Sequence, residues 1–123
     1  MADIIGIITS AFQAIPAHRW KGNSQSGKKI EITAHAVGID QRGPWAKFHF
    51  TEGEGADAQE KEIQGYPLYR GGARVRMGNG KEFDEDKMGV QVKVEDFKVH
   101  TIVSFSGKMN GEELHYEFDG QNN

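Results

Sequence analysis

The chain has no cysteine in its 123 residues. That absence removes disulfides, thiolate metal sites and thiol nucleophiles together, and it favours a reducing compartment, because small secreted domains are more often stapled by bridges. Long apolar runs are also missing, so no segment is suited to cross a bilayer as a helix. No basic stretch followed by an apolar core marks a secretory signal. The expectation is a protein cytoplasmic when synthesised, with peripheral membrane association left open. An excess of either charge is lacking: 15 Lys and Arg face 18 Asp and Glu, for a net charge of −3. Such a balance offers little attraction to phosphate polyanions and argues against nucleic acid as a partner.

Glycine is what the chain has in plenty. Sixteen glycines against three prolines point to many tight turns, and so to many short strands. Hydrophobic residues at 37% and charged residues at 27% are globular proportions. The length suits one domain, 1–123, around a single core.

The pattern changes period along the chain. Over 3–15 the residues Ile4, Ile5, Ile7, Ile8, Ala11, Phe12, Ala14 and Ile15 share one half of a helical wheel. Asp3 can cap the start and Pro16 discourages continuation, so an amphipathic helix is expected there. Its apolar face, with Ile4, Ile8, Phe12 and Ile15, is the candidate for docking on the protein's own sheet or for self-association. At about 20 Å it can rest on a bilayer but not span one.

Beyond Pro16 the period becomes two, and 28–119 reads as antiparallel β structure. Ile30, Ile32, Ala34 and Ala36 alternate with Lys29, Glu31, Thr33 and His35. Ala46, Phe48 and Phe50 alternate with Trp45, Lys47 and His49. Further strands are expected at 61–64, 73–77, 90–94, 99–105 and 113–118, the last with Leu114, Tyr116 and Phe118 inward. Asn110-Gly111 is the strongest hairpin signal, since both residue types accept the positive φ of a type I′ turn. Asn79-Gly80 signals a similar turn.

The motifs that carry chemistry are incomplete. Gly53-Glu54-Gly55-Ala56-Asp57-Ala58 has dinucleotide-like glycines but no room for the helix that would hold a pyrophosphate. Gly78-Asn79-Gly80-Lys81 resembles a phosphate loop, yet Val75 stands where a Gly is required and Glu82 replaces the Ser or Thr. His35, His49, His100 and His115 fall on separate strands without metal-ligand spacing. Glu82, Asp84, Glu85 and Asp86 lack the spacing of a calcium loop, and 81–87 is expected to be a solvated acidic loop. No Gly-x-Ser-x-Gly elbow surrounds any serine. No catalytic residue, metal ligand or cofactor is therefore assigned.

Trp45-Ala46-Lys47-Phe48-His49 resembles the Trp-Gly-Lys-aromatic-aromatic element of the aegerolysins, small acidic β-sandwich proteins. Glu62-Ile63, Gly71-Gly72-Ala73 and Phe83-Asp84 follow at spacings similar to that family's, and 103–120 is similar to its closing hairpin. Separately, Ala36-Val37-Gly38-Ile39-Asp40 with Gly43 and Trp45 is similar to a segment of the actinoporins, which pair an amphipathic helix with a sandwich. The chain departs from both families: it has no aegerolysin cysteines or Cys-Pro-Trp-Gly segment, and no actinoporin aromatic cluster for phosphocholine. The resemblance implies recognition of membrane lipid beside a pore-forming partner.

These readings converge on a mostly β, single-domain antiparallel β-sandwich or flattened barrel with one N-terminal amphipathic α-helix. The expected function is that of a non-catalytic binding protein, directed to membrane lipid if the resemblance holds. Trp20, Trp45, Tyr66 and Tyr69, in or beside turns, are the candidate lipid or partner contacts, and homo-oligomerisation through the N-terminal helix is open. The alternatives are a protein-interaction module of the inhibitor or immunity type, and a small-molecule binder or cyclase in a β-barrel. Exposed aromatics clustered at one end would favour lipid. An unprotected edge strand would favour a protein.

Overall fold

The computed structural model describes Gly6 and residues 14–122. Eight strands, β1 (Trp20–Ser24), β2 (Ile30–Asp40), β3 (Gly43–Glu52), β4 (Gln59–Gly65), β5 (Val75–Met77), β6 (Asp84–Glu95), β7 (Lys98–Met109) and β8 (Glu112–Asn122), form one antiparallel sheet. Its order is β5-β4-β3-β2-β1-β8-β7-β6, and it curls until it is nearly closed as a barrel. Two meanders, β1–β5 and β6–β8, are joined through β1 and β8, with Trp20 opposite Gly120 and Ser24 opposite Tyr116. The flattened-barrel alternative therefore describes the molecule, rather than a sandwich of two sheets. From residue 16 onward the only helical elements are two 3-10 turns, Ala17–Arg19 and Gly55–Asp57. The expected helix 3–15, with Ile4, Ile8 and Phe12, lies outside the described residues apart from Gly6, Ala14 and Ile15. Ile15 itself belongs to the core.

Period-two patterning builds that core. Ala46, Phe48 and Phe50 of β3, Ile63 of β4, Val103 and Phe105 of β7, and Tyr116 and Phe118 of β8 are all buried on the inner face. Phe48 stacks on Phe118 with centroids 4.3 Å apart, and Phe105 meets Phe118 edge-on at 5.9 Å. The β7–β8 hairpin has the expected register: Asn110 and Gly111 both have positive φ, Leu114, Tyr116 and Phe118 point inward, and His115 is only half-buried. Two inner positions are glycines because aromatic rings occupy their space. A Cβ on Gly120 would fall 2.8 Å from the Trp20 indole, and one on Gly65 would fall 2.6 Å from Phe105.

The alternation expected in β2 fails midway. The pairing with β3 shifts register between Ile32 and Ala34, a bulge that inserts one residue and exchanges the faces beyond it. Ala34 is consequently exposed, and His35 turns inward to lie 5.8 Å from the Trp20 ring. The segment 81–87 is not a solvated loop either. Phe83 is fully buried, and β6 begins at Asp84 with a second bulge before Lys87.

The seam between β5 and β6 is closed by a side chain. The Asp86 carboxylate accepts the backbone N–H groups of both Arg74 and Val75, while the Phe83 N–H donates to the Val75 carbonyl at 2.8 Å. Arg74 Nη2 in turn donates to the Asp86 carbonyl. One carboxylate here takes the place of a ladder that the three-residue β5 is too short to supply.

Candidate functional site

The meander sorts the loops into two ends. One end carries the turns β1–β2, β3–β4, β5–β6 and β7–β8. The other carries the β2–β3 turn, the segment 66–74, the β6–β7 turn and the residues leading into β1.

At the first end an open cleft of about 690 Å³ is lined by Glu52, Lys61, Met77, Met109, Leu114 and Tyr116, among others. Glu52 and Lys61 sit on the inner face near opposite positions of β3 and β4, and Lys61 Nζ donates to Glu52 Oε1 at 2.5 Å. Burial alone would lower the Lys61 pKa. The hydrogen bond to Glu52 and the nearby Tyr116 and Glu52 charges outweigh burial, so the net shift is upward. Burial, reinforced by the Glu52 charge, raises Tyr116. Both groups are thereby moved further from neutrality, away from the range where a group exchanges protons efficiently in general acid–base chemistry. The cleft is a mouth of mixed polar and apolar lining over a filled core rather than an empty calyx.

The second end holds the sequence-predicted contacts, and it separates them. Trp20 is buried in the core against Phe48, at 4.9 Å. Tyr66 is also fully buried: its hydroxyl donates to Asp40 Oδ2 at 2.6 Å and accepts from Arg76 Nη2 at 3.1 Å. Neither offers area to a lipid surface, which corrects the expectation for these two. Tyr69 remains half-exposed, its ring 6.4 Å from Tyr66, with the Arg42 guanidinium over both rings and paired to Glu82 at 2.5 Å. Trp45 lies across Gly38, whose Cβ position would be 2.2 Å from the indole, and Lys47 Nζ sits 5.3 Å from its ring. The four aromatics thus form no cluster; only Tyr66 and Tyr69 meet.

What does gather at this end is aliphatic and was not foreseen. The large exposed hydrophobic residues among those described are Ile39, Leu68, Val92, Val94, Phe97 and Val99, and all six lie at or toward this end. Four belong to the β6–β7 hairpin, whose strands run 12 residues each and outreach the three-residue β5. Past the rim the inner face of the hairpin has no barrel left to cover it, so Val94 is 72% exposed. The two-residue turn is Asp96-Phe97, with φ of 53° and 62°. A bulky aromatic in the left-handed region is a conformational outlier, and Phe97 is fully exposed as well. Alternation identified the face these valines share, but nothing local in the sequence marks where the barrel ends beneath them.

Among the described residues no group of three His, Asp or Glu is placed to hold a metal ion. No helix among them is long and apolar enough to cross a membrane. No protein-family model matches the chain, and no curated protein or solved structure matches it.

Proposed function

We propose that this is a non-catalytic binding protein of the interaction-module kind, which engages another polypeptide through the projecting β6–β7 hairpin. The observation that carries this reading is the hairpin itself: Val92, Val94, Phe97 and Val99 exposed together on a strand pair whose outer edge, beyond the β5 seam, pairs with no described strand. Apolar groups held in water and an edge of unpaired N–H and C=O groups are both unfavourable unless a partner covers them. A peptide strand added to β6 satisfies the backbone while its side chains cover the valines. Phe97 adds a conformational cost that packing of the domain itself does not explain.

Lipid is the second reading, and Phe97 is what favours it: an exposed apolar tip beside Lys98 resembles a shallow membrane anchor, although Glu95 and Asp96 on its other side oppose contact with anionic lipid. The aegerolysin-like and actinoporin-like resemblance points the same way. Burial of Trp20 and Tyr66 weakens it, because the aromatic cluster that lipid recognition called for is not assembled.

A photo-crosslinking amino acid at position 94, in the cells that make the protein, tests the choice. The expected outcome is protein adducts of discrete mass that disappear when the probe is moved to Lys29, in the β1–β2 connection at the other end of the barrel. Adducts to lipid alone would replace the protein reading with the membrane one, and adducts equally frequent from both positions would remove both.

A further inference from the structure

Resting on the reading of the hairpin as a contact surface, we infer that the polypeptide it binds is a second copy of this chain, with the two β6 strands paired antiparallel about Gln91.

The argument begins with which backbone groups are available. Glu95 and Lys98 flank the two-residue turn, and in a hairpin of this type the flanking residues form a hydrogen-bonded pair. Hydrogen-bonded pairs then recur at alternate positions, so Lys93, Gln91 and Gly89 spend their N–H and C=O groups on His100, Ile102 and Ser104. Met88, Val90, Val92 and Val94 therefore direct theirs to the open edge, where no described strand pairs with β6. A two-fold antiparallel edge must oppose these even-numbered residues to one another, which limits the registers to a few.

Charge selects among them. Centring on Gln91 places Lys87 opposite Glu95 of the second copy, twice by symmetry, sets Lys93 opposite Gly89, and leaves the two Gln91 amides facing. Centring on Val90 opposes Lys87 to Lys93 and Glu85 to Glu95, like against like. Centring on Lys93 opposes lysine to lysine, and centring on Val92 sets both charged residues against uncharged ones. Centring on Val94 opposes Lys93 to Glu95 but pairs only the strand tip. Across the whole of 87–95 the Gln91 register alone combines opposite charges with no like pair. On the inner face it sets the half-buried Val90 of each copy against the exposed Val92 of the other, while Met88, opposite Val94, stays in its own core. An isologous contact of this sort closes on itself and does not propagate into a fibre.

Sedimentation of the full chain over a concentration series, at low salt, is the first measurement, with a concentration-dependent dimer expected. Val92→Pro removes an N–H from the open edge without touching the β7 ladder, and it should yield a folded monomer. Glu95→Lys and Lys87→Glu should each weaken the dimer by on the order of tenfold, and the double variant should restore it. The charge swap decides the matter if Val92→Pro fails to fold. A chain monomeric to about 1 mM, a dimer indifferent to Val92→Pro, or a double variant no tighter than the singles would each overturn the inference. If the chain is monomeric while the probe at position 94 captures a different protein, self-pairing falls and the hairpin reading stands. Links from position 94 to residues 1–13 of the same chain would remove both.

Discussion

Phe97 concentrates the conflict between folding and function in one side chain. Its backbone has φ 62° and its ring is fully exposed, so the domain gains nothing visible from it. Phe97→Gly should raise the unfolding free energy by about 1 kcal/mol, through relief of the left-handed conformation. The same variant should lose crosslinking from position 94. Urea denaturation measures the first effect, and a destabilised variant would show that the ring packs after all. Asp40 and Tyr66 give a prediction in pH. The Tyr66 hydrogen bond, with further help from the Arg42 N–H and the Arg76 charge, holds the Asp40 carboxyl below its usual value despite some burial. Since the folded value is the lower one, this contribution is complete above the unfolded pKa and lost as pH falls through the folded one. Tyr66→Phe should therefore be destabilising near neutrality, with the difference from wild type shrinking in urea melts as Asp40 is protonated. A gap unchanged at about pH 2 would assign the cost to packing. Legibility at this scale followed residue chemistry: Asn110-Gly111 announces its turn, whereas Asp96-Phe97 does not, because phenylalanine carries no preference for positive φ.

Strands were legible in proportion to how fully one face is buried along their length. β3, β7 and β8 alternate cleanly and stand where the sequence puts them, with ends extended by a few residues. β1 escaped notice because Trp-Lys-Gly-Asn-Ser has a single apolar residue. Its other inward positions are Ser24 and Gly22, and a Cβ on Gly22 would meet Ile30 at 2.3 Å. In β2 the bulge is invisible to periodicity, so Ala34 was assigned inward and His35 outward, the reverse of what holds. The acidic run at 82–86 was read as solvated, since its composition hides that Asp86 is the clasp between β5 and β6. Asp86→Ala should leave the Arg74 and Val75 N–H groups without that acceptor and cost about 1–3 kcal/mol. Amide exchange at Arg74 and Val75 should accelerate more than at Phe105 or Phe118 in the core. Uniform acceleration across the sheet would mean that the clasp governs global stability rather than the seam.

At the scale of the molecule, composition and period were enough for a mostly β, antiparallel architecture, because turn-rich alternating strands have few ways to share a core. They were not enough for the closure, since strand order depends on which edges meet and neither edge is marked locally. The surface of interest was hidden for the same reason: Val92 and Val94 look like core residues until the shortness of β5 shows that no wall stands opposite them. The pairing of β1 with β8 has a consequence for biosynthesis. Trp20 meets Gly120 in the middle of the sheet, so the earliest and latest strands to leave a ribosome are direct neighbours. The first meander must wait, with one edge of β1 unsatisfied, until β8 has been made. Loop closure over that separation is slow compared with hairpin formation. A chain halted before β8 would lack a central strand rather than a fringe, and would expose both meanders as sticky, half-covered sheets. Quality control acting on this protein would therefore find its targets among incomplete chains.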